Sequence, residues 1–251
     1  PKAYIHCEDE SLIGTEFFVM EYIDGTVIWD SHIPHGTEKD RFEIYSSMNE
    51  TMANLHSVDP FKVGLENFGK PGNYVARQVS RWTKQYRNSE TENISSMNNL
   101  IDWLPENLPS EKPIRLVHGD FSLTNVIVNT ENNKIASILD WELSTLGDPV
   151  ADFSYHCLQY FINPILSDPQ KCKDLNIPDL NKYVEMYIEN SEFKISESEW
   201  NTYMAFSMFK LAAILQGITG RVRDGTAAGK DADKLFLSLI HISEPTRPST
   251  I

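Results

Sequence analysis

Apolar residues fall in two different rhythms along the chain, and the change of rhythm marks out its architecture. Glu16 to Ile23 (EFFVMEYI) is aromatic and branched, which predicts a buried strand closed by the turn signal Asp24-Gly25. Beyond it, Thr37 with Asp40 three positions on predicts a capped helix start. Phe42, Tyr45, Met48, Met52 and Leu55 then recur at helical spacing, so that helix should bury one face. Val75, Val79, Trp82 and Tyr86 predict a second helix over about Tyr74–Tyr86, and a third approaches Trp103 before Pro105 stops it. From Ile114 the rhythm shortens. Ile114–Val117, Val126–Val128 and Ile135–Leu139 read as strands, the last two joined as a hairpin by the polar Asn129–Asn133 segment. After Pro149 helices return, over about Val150–Phe161, Leu180–Glu192 and Ser198–Leu215.

Composition narrows the class. With 251 residues, 41% hydrophobic and 23% charged, the chain can bury one substantial core. No apolar run approaches the roughly 20 residues of a membrane helix, so no membrane span is expected. The net charge of −14 argues against a nucleic acid partner, whose phosphates demand a basic face. It leaves a nucleotide substrate open, because carboxylates can hold Mg²⁺ and the metal supplies the positive charge. Cys7, Cys157 and Cys172 are odd in number and widely spaced, which favours a reducing, intracellular setting over a disulfide framework. The compartment, whether mitochondrial, peroxisomal or cytoplasmic, leaves no mark.

The chemistry concentrates in His118-Gly119-Asp120-Phe121-Ser122-Leu123-Thr124-Asn125 and in Asp140-Trp141-Glu142. Phosphoryl transfer needs a carboxylate to position the attacking hydroxyl and take its proton, and oxygen ligands to hold Mg²⁺ against the phosphates. A loop after one strand, the start of the next and the end of a third can bring such groups to one cleft. This run resembles the catalytic loop of the aminoglycoside phosphotransferase family and, more distantly, that of protein kinases. The resemblance implies a protein-kinase-like α+β fold, of which the chain holds the hinge strand and the mainly helical C-terminal lobe. It implies ATP as co-substrate, Asp120 as catalytic base, and Asn125 and Asp140 as Mg²⁺ ligands. It also implies that His118 supports the loop by packing and that Asp152, in LGDPVAD, opens a helix and accepts hydrogen bonds from the loop backbone. Glu142 fits either a contact to metal-bound water or a solvated surface.

The strand ending at Ile23 is similar to a kinase hinge, which implies that Glu21 offers a carbonyl and Ile23 an N–H to adenine, with Met20 behind them. Gly119 replaces the arginine that kinases use to sense a phosphorylated activation loop, and Asp140–Asp152 is too short for a peptide-binding segment. Both point to a small-molecule acceptor. WELSTLGDPVADFSY and ANLHSVD resemble the phosphotransferase domain joined to acyl-CoA dehydrogenases in larger proteins, implying such a fusion and a hydroxy-acid or hydroxyacyl-CoA acceptor. A non-catalytic nucleotide-binding module and a kinase for an amino alcohol or aminosugar are the alternatives.

The expected domain plan is the end of an N-terminal lobe and the hinge over 1–25, a catalytic lobe over 26–237, and a non-native or disordered tail over 238–251. The glycine-rich loop, strand lysine and helix glutamate of an N-terminal lobe are not recognisable before Glu16, so feeble turnover by this chain alone is expected. Gly225–Asp231 fails as a phosphate-binding loop, since Asp231 stands where a serine or threonine should bind metal. Arg221 and Arg223 read as helix-end cations, with an acidic substrate group as the other reading.

Overall fold

The computed structural model describes residues 1–223; the glycine-rich Gly225–Asp231 stretch and the tail beyond 237 lie outside them. Among the described residues six strands form three separate two-stranded antiparallel sheets, and eight helices hold nearly half of the chain. β1 (Ala3–Cys7) pairs with β2 (Phe17–Met20), Cys7 opposite Phe17. β3 (Arg115–Val117) pairs with β6 (Thr145–Gly147), and β4 (Val126–Val128) with β5 (Ile135–Ile138) across the anticipated hairpin.

The expectation of a buried strand at Glu16–Ile23 is wrong. Phe18 is 65% and Met20 43% exposed, because the β1–β2 ribbon has no further layer of the described chain against its faces. The chain returns from it through Gly25, at φ +152°, where an added Cβ would meet the Val128 carbonyl oxygen at 2.6 Å. Thr26 then exchanges both backbone hydrogen bonds with Val128 (2.9 and 2.8 Å), so the segment after the ribbon is clamped to the catalytic hairpin.

α1 (Glu38–Ser57) begins at the foreseen cap. The Thr37 hydroxyl accepts from the Asp40 N–H (3.2 Å), and the Asp40 carboxylate accepts from the Thr37 N–H (2.8 Å). Its core face carries Tyr45, Met48 and Met52. Phe42, expected on that face, is exposed. α2 (Tyr74–Ser89) is longer than foreseen, and α3 (Ser95–Glu106) runs one residue past Pro105. Pro105 cannot donate to the carbonyl four residues back, and the helix ends one residue beyond it.

The stretch expected as one helix over Val150–Phe161 breaks into α4 (Pro149–His156) and a single turn, α5 (Gln159–Ile162). α6 (Pro169–Asp174), α7 (Leu180–Asn190) and α8 (Glu197–Arg223) follow. α8 packs against α2, α3 and α4, and α7 against α1. Between them Phe153 stacks on Tyr187, with centroids 3.8 Å apart, and Tyr203, Phe206 and Phe209 of α8 are fully buried. Burying rings of this size adds substantially to the lobe's hydrophobic stabilisation. Among the described residues no helix is long and apolar enough to cross a membrane.

Candidate active site

The His118–Asn125 loop leaves β3 and re-enters β4 through a short 3₁₀ turn at Leu123–Asn125. Gly119 makes the exit possible. It holds φ +86°, and a Cβ there would sit 2.7 Å from the Leu143 carbonyl oxygen. An arginine at this position is therefore excluded on two counts, space and backbone conformation. The loop is cross-tied at both ends. The Leu139 N–H donates to the Asn125 carbonyl (2.8 Å), and His118 Nε2 meets the Leu139 carbonyl at 2.8 Å. Asp140, the next residue, is thereby set beside Asn125, with its own backbone in the left-handed region (φ 62°, ψ 62°).

Three of the anticipated site residues thus share one face. Asn125 Nδ2 donates to the Asp120 carbonyl (2.8 Å) and to Asp120 Oδ2 (3.2 Å). Both partners are acceptors, so the amide nitrogen must point at Asp120 and Oδ1 must point away. Among the described residues that oxygen has no protein partner, and neither has the exposed Asp140 carboxylate. Burial pushes the Asp120 carboxyl above its ordinary range; the Asn125 hydrogen bond and the His118 and Lys210 charges oppose this, while the Asp140 charge adds to it. Trp141 donates from Nε1 to the Ile138 carbonyl (3.1 Å), and Glu142 is exposed to solvent.

Beneath this face lies a closed polar anchor. Asp148, rather than Asp152, caps α4, accepting from the N–H groups of Val150 (2.8 Å) and Ala151 (3.1 Å) and from the Tyr203 hydroxyl (2.8 Å). Asp152 sits one turn in and is buried. It accepts from the His118 N–H (2.8 Å) and the Gly119 N–H (2.9 Å), with His56 Nε2 3.2 Å away. Burial alone would raise its pKa, but the His56 interaction and the two loop N–H groups hold the carboxylate below its usual range. Tyr187 reaches the other nitrogen of His56, Nδ1, at 2.7 Å. His156 adds a second tie: Nδ1 lies 2.9 Å from the Phe121 carbonyl and Nε2 3.0 Å from the Tyr183 hydroxyl. Burial lowers its pKa to about 4, so it is neutral and its Nδ1–H donates to the loop.

His56, His156 and Tyr187 were not singled out in the sequence, although His56 stands in the ANLHSVD run. Lys210 of α8 was missed as well. Its ammonium lies 3.6 Å over the Tyr155 ring, near enough to Asp120 for each to shift the other's titration.

Of the hinge-like residues Met20 ends β2 and Glu21 and Ile23 follow it, separate from the buried anchor. The Glu21 N–H donates to the Lys2 carbonyl (2.8 Å), and its carboxylate accepts from the Lys2 N–H (3.0 Å). The Glu21 carbonyl and Ile23 N–H have no protein partner among the described residues, and Met20 is exposed beside them.

Short antiparallel strands that present a loop over a helical lobe are the build of the kinase-like phosphotransferases, and solved structures share it. A Ralstonia eutropha protein provisionally assigned as an aminoglycoside phosphotransferase superposes with a TM-score of 0.89 at 43% identity, covering 97% of this chain and 76% of that one. A choline/ethanolamine kinase family protein from Mesorhizobium loti shares the fold at 16% identity (TM-score 0.62, 98% of this chain and 73% of that one). The chain belongs to the phosphotransferase enzyme family (APH), whose sequence model matches residues 1–170. Among curated relatives, it is 46% identical over 234 residues to mouse acyl-CoA dehydrogenase family member 10, covering 91% of this chain and 22% of that protein. It is 36% identical over 244 residues to human acyl-CoA dehydrogenase family member 11, covering 96% of this chain and 31% of that protein. The chain thus spans between a fifth and a third of the length of these relatives.

Proposed function

We propose that this lobe transfers the γ-phosphate of ATP to the hydroxyl of a small hydroxy acid or hydroxyacyl-CoA, with Asp120 as the base. The observation that carries this reading is the convergence of Asp120, Asn125 and Asp140 on one face. Asp120 is held by Asn125 and half-buried, and its raised pKa makes its carboxylate a better proton acceptor than one in free solution. A hydroxyl donating to it would be oriented for in-line attack, so positioning supplies much of the rate.

The donor set also fits Mg²⁺. Asn125 Oδ1 and the Asp140 carboxylate are hard oxygen ligands that no other group among the described residues claims, and a hard cation prefers such ligands. Among the described residues no cluster of three or more His, Cys, Asp or Glu side chains could hold a metal, so the remaining ligands would be water and phosphate oxygens, the usual arrangement for this ion. When bound, Mg²⁺ would neutralise charge on the phosphates. The Glu21 carbonyl and Ile23 N–H, without partners among the described residues, are one acceptor and one donor, the pair an adenine edge requires. The likeness to proteins that carry an acyl-CoA dehydrogenase name supports the acceptor class and a fused dehydrogenase domain.

The test is ADP formation by the full-length protein with a panel of hydroxy acids, hydroxyacyl-CoAs, amino alcohols and aminosugars, comparing wild type with Asp120→Asn. Turnover confined to the hydroxy-acid classes and lost in the variant is expected. Equal turnover by both proteins overturns the base assignment, and phosphorylation of amino alcohols or aminosugars alone overturns the acceptor class.

A further inference from the structure

In a chain of net charge −14, α2 carries Arg77, Arg81, Lys84 and Arg87 and no acidic residue in its sixteen positions. α8 is likewise free of carboxylates from Met208 to its end. These two helices pack on each other and leave between them an open cleft of about 550 Å³, lined by Arg81, Lys84, Gln85, Asn88 and Arg221. Gly217 and Gly220 form the α8 side of the cleft, where the missing side chains leave room. Gln216 fixes the helices' separation by donating from Nε2 to the Ser89 carbonyl (2.7 Å) and the Thr91 hydroxyl (2.8 Å). Among the described residues neither Arg81 nor Lys84 forms an ion pair.

Helical periodicity connects this cleft to the reactive face. Positions 81, 84, 85 and 88 lie on one stripe of α2, and 210, 217 and 221 on one stripe of α8. Lys210, at the inner end, acts electrostatically on both Asp120 and Arg81. Seven residues separate it from Gly217, about 10 Å along the helix. Positive charge therefore stands at two points, Lys210 beside the proposed base and Arg81 at the cleft.

We infer that the α2–α8 cleft is an anion subsite of the acceptor: Arg81 and Lys84 bind a carboxylate or phosphate remote from the reacting hydroxyl, and Lys210 guides the chain between them. This deepens the reading of the site as a phosphotransferase. It also separates this chain from acceptors that are cations, since a positive group would be repelled along that path. Arg81 and Lys84 are exposed, so reversing their charge should leave the fold intact.

The experiment measures calorimetric binding of ω-hydroxyoctanoate, ω-hydroxyoctyl phosphate and octane-1,8-diol to the full-length protein and to its Arg81→Glu/Lys84→Glu variant. These probes share one chain length and differ in the remote group. At least one anionic probe should bind wild type about tenfold more tightly than the diol, the order that two partly exposed charge contacts supply. That preference should shrink with added salt and vanish in the variant. Preference for one anion alone identifies the oxyanion taken. Equal binding of all three, or a preference that survives the double substitution, overturns the subsite. ADP formation with the same probes separates the two claims. Phosphorylation without anion preference rejects the subsite and keeps the phosphotransferase, whereas anion preference without phosphorylation does the reverse.

Discussion

The two carboxylates nearest the catalytic loop live under opposite conditions. Asp152 is buried, with every oxygen engaged, and its pKa is driven down by the partners that surround it. Asp120 is half-buried, has Asn125 as its side-chain partner, and is driven up. The difference teaches which one is available for chemistry. A carboxylate saturated by loop N–H groups and His56 fixes the loop's shape, and taking a proton would break the bonds that hold it. A carboxylate with spare acceptor capacity and a raised pKa can take a proton and give it up again.

The sharpest way to break this contrast is Asp120→Asn. Turnover should fall by about 10³-fold, within the range that loss of a general base produces. Its effect on stability should have the opposite sign. A folded-state pKa raised above the unfolded value means that ionisation disfavours folding, a penalty that grows as pH rises through the folded pKa. The melting temperature at neutral pH should therefore hold or rise, and a clear drop would show Asp120 to be an anchor.

Asp152→Ala should do the reverse, costing about 3–5 kcal/mol by leaving His56 and two loop N–H groups unpaired in the interior. Denaturant unfolding would measure it, and a loss under 1 kcal/mol would remove the anchor role. The depressed pKa of Asp152 adds a pH signature. Its contribution is present above the unfolded value near 3.8 and disappears as pH falls through the lower folded one. Wild type should thus lose stability in strong acid more steeply than the variant.

Asp140→Asn tests the open face with less disturbance, because asparagine tolerates the left-handed backbone that Asp140 adopts. Mg²⁺-dependent nucleotide affinity should drop at least tenfold, while stability stays within about 0.5 kcal/mol, as usual for exposed sites. Unchanged affinity would exclude a metal role. The smallest effect belongs to Thr37→Ala, a cap remote from both carboxylates in sequence. It should cost about 1 kcal/mol without altering turnover, and altered turnover would show that α1 couples to the site.

The grouping of Asp120, Asn125 and Asp140, proposed here as the reactive face, could be anticipated from the sequence because its parts are consecutive or one hairpin apart. Strand, loop, strand and turn leave few ways for Asp120, Asn125 and Asp140 to diverge. The anchor was half legible. Asp152 could be read from LGDPVAD, but its partner His56 lies 96 positions earlier and Tyr187 lies 131 beyond His56. Such pairings exist only once α1, α4 and α7 pack, and helical periodicity says which face is buried without saying what it meets. Phe18 and Met20 misled because apolar strand composition reports a capacity for burial, which the two-stranded ribbon does not provide. Lys210 escaped notice because a lysine on a long amphipathic helix has an ordinary surface reading until Tyr155 and Asp120 are placed beside it.

The central claim is that Asn125 and Asp140 serve one shared ion next to Asp120, and a double-mutant cycle on kcat tests it most directly. Asn125→Ala, Asp140→Asn and the pair together should each lower kcat, with the double variant little worse than the more damaging single one, because either change spoils the same ion. Effects that multiply, so that the two losses combine independently, would mean that these residues act apart.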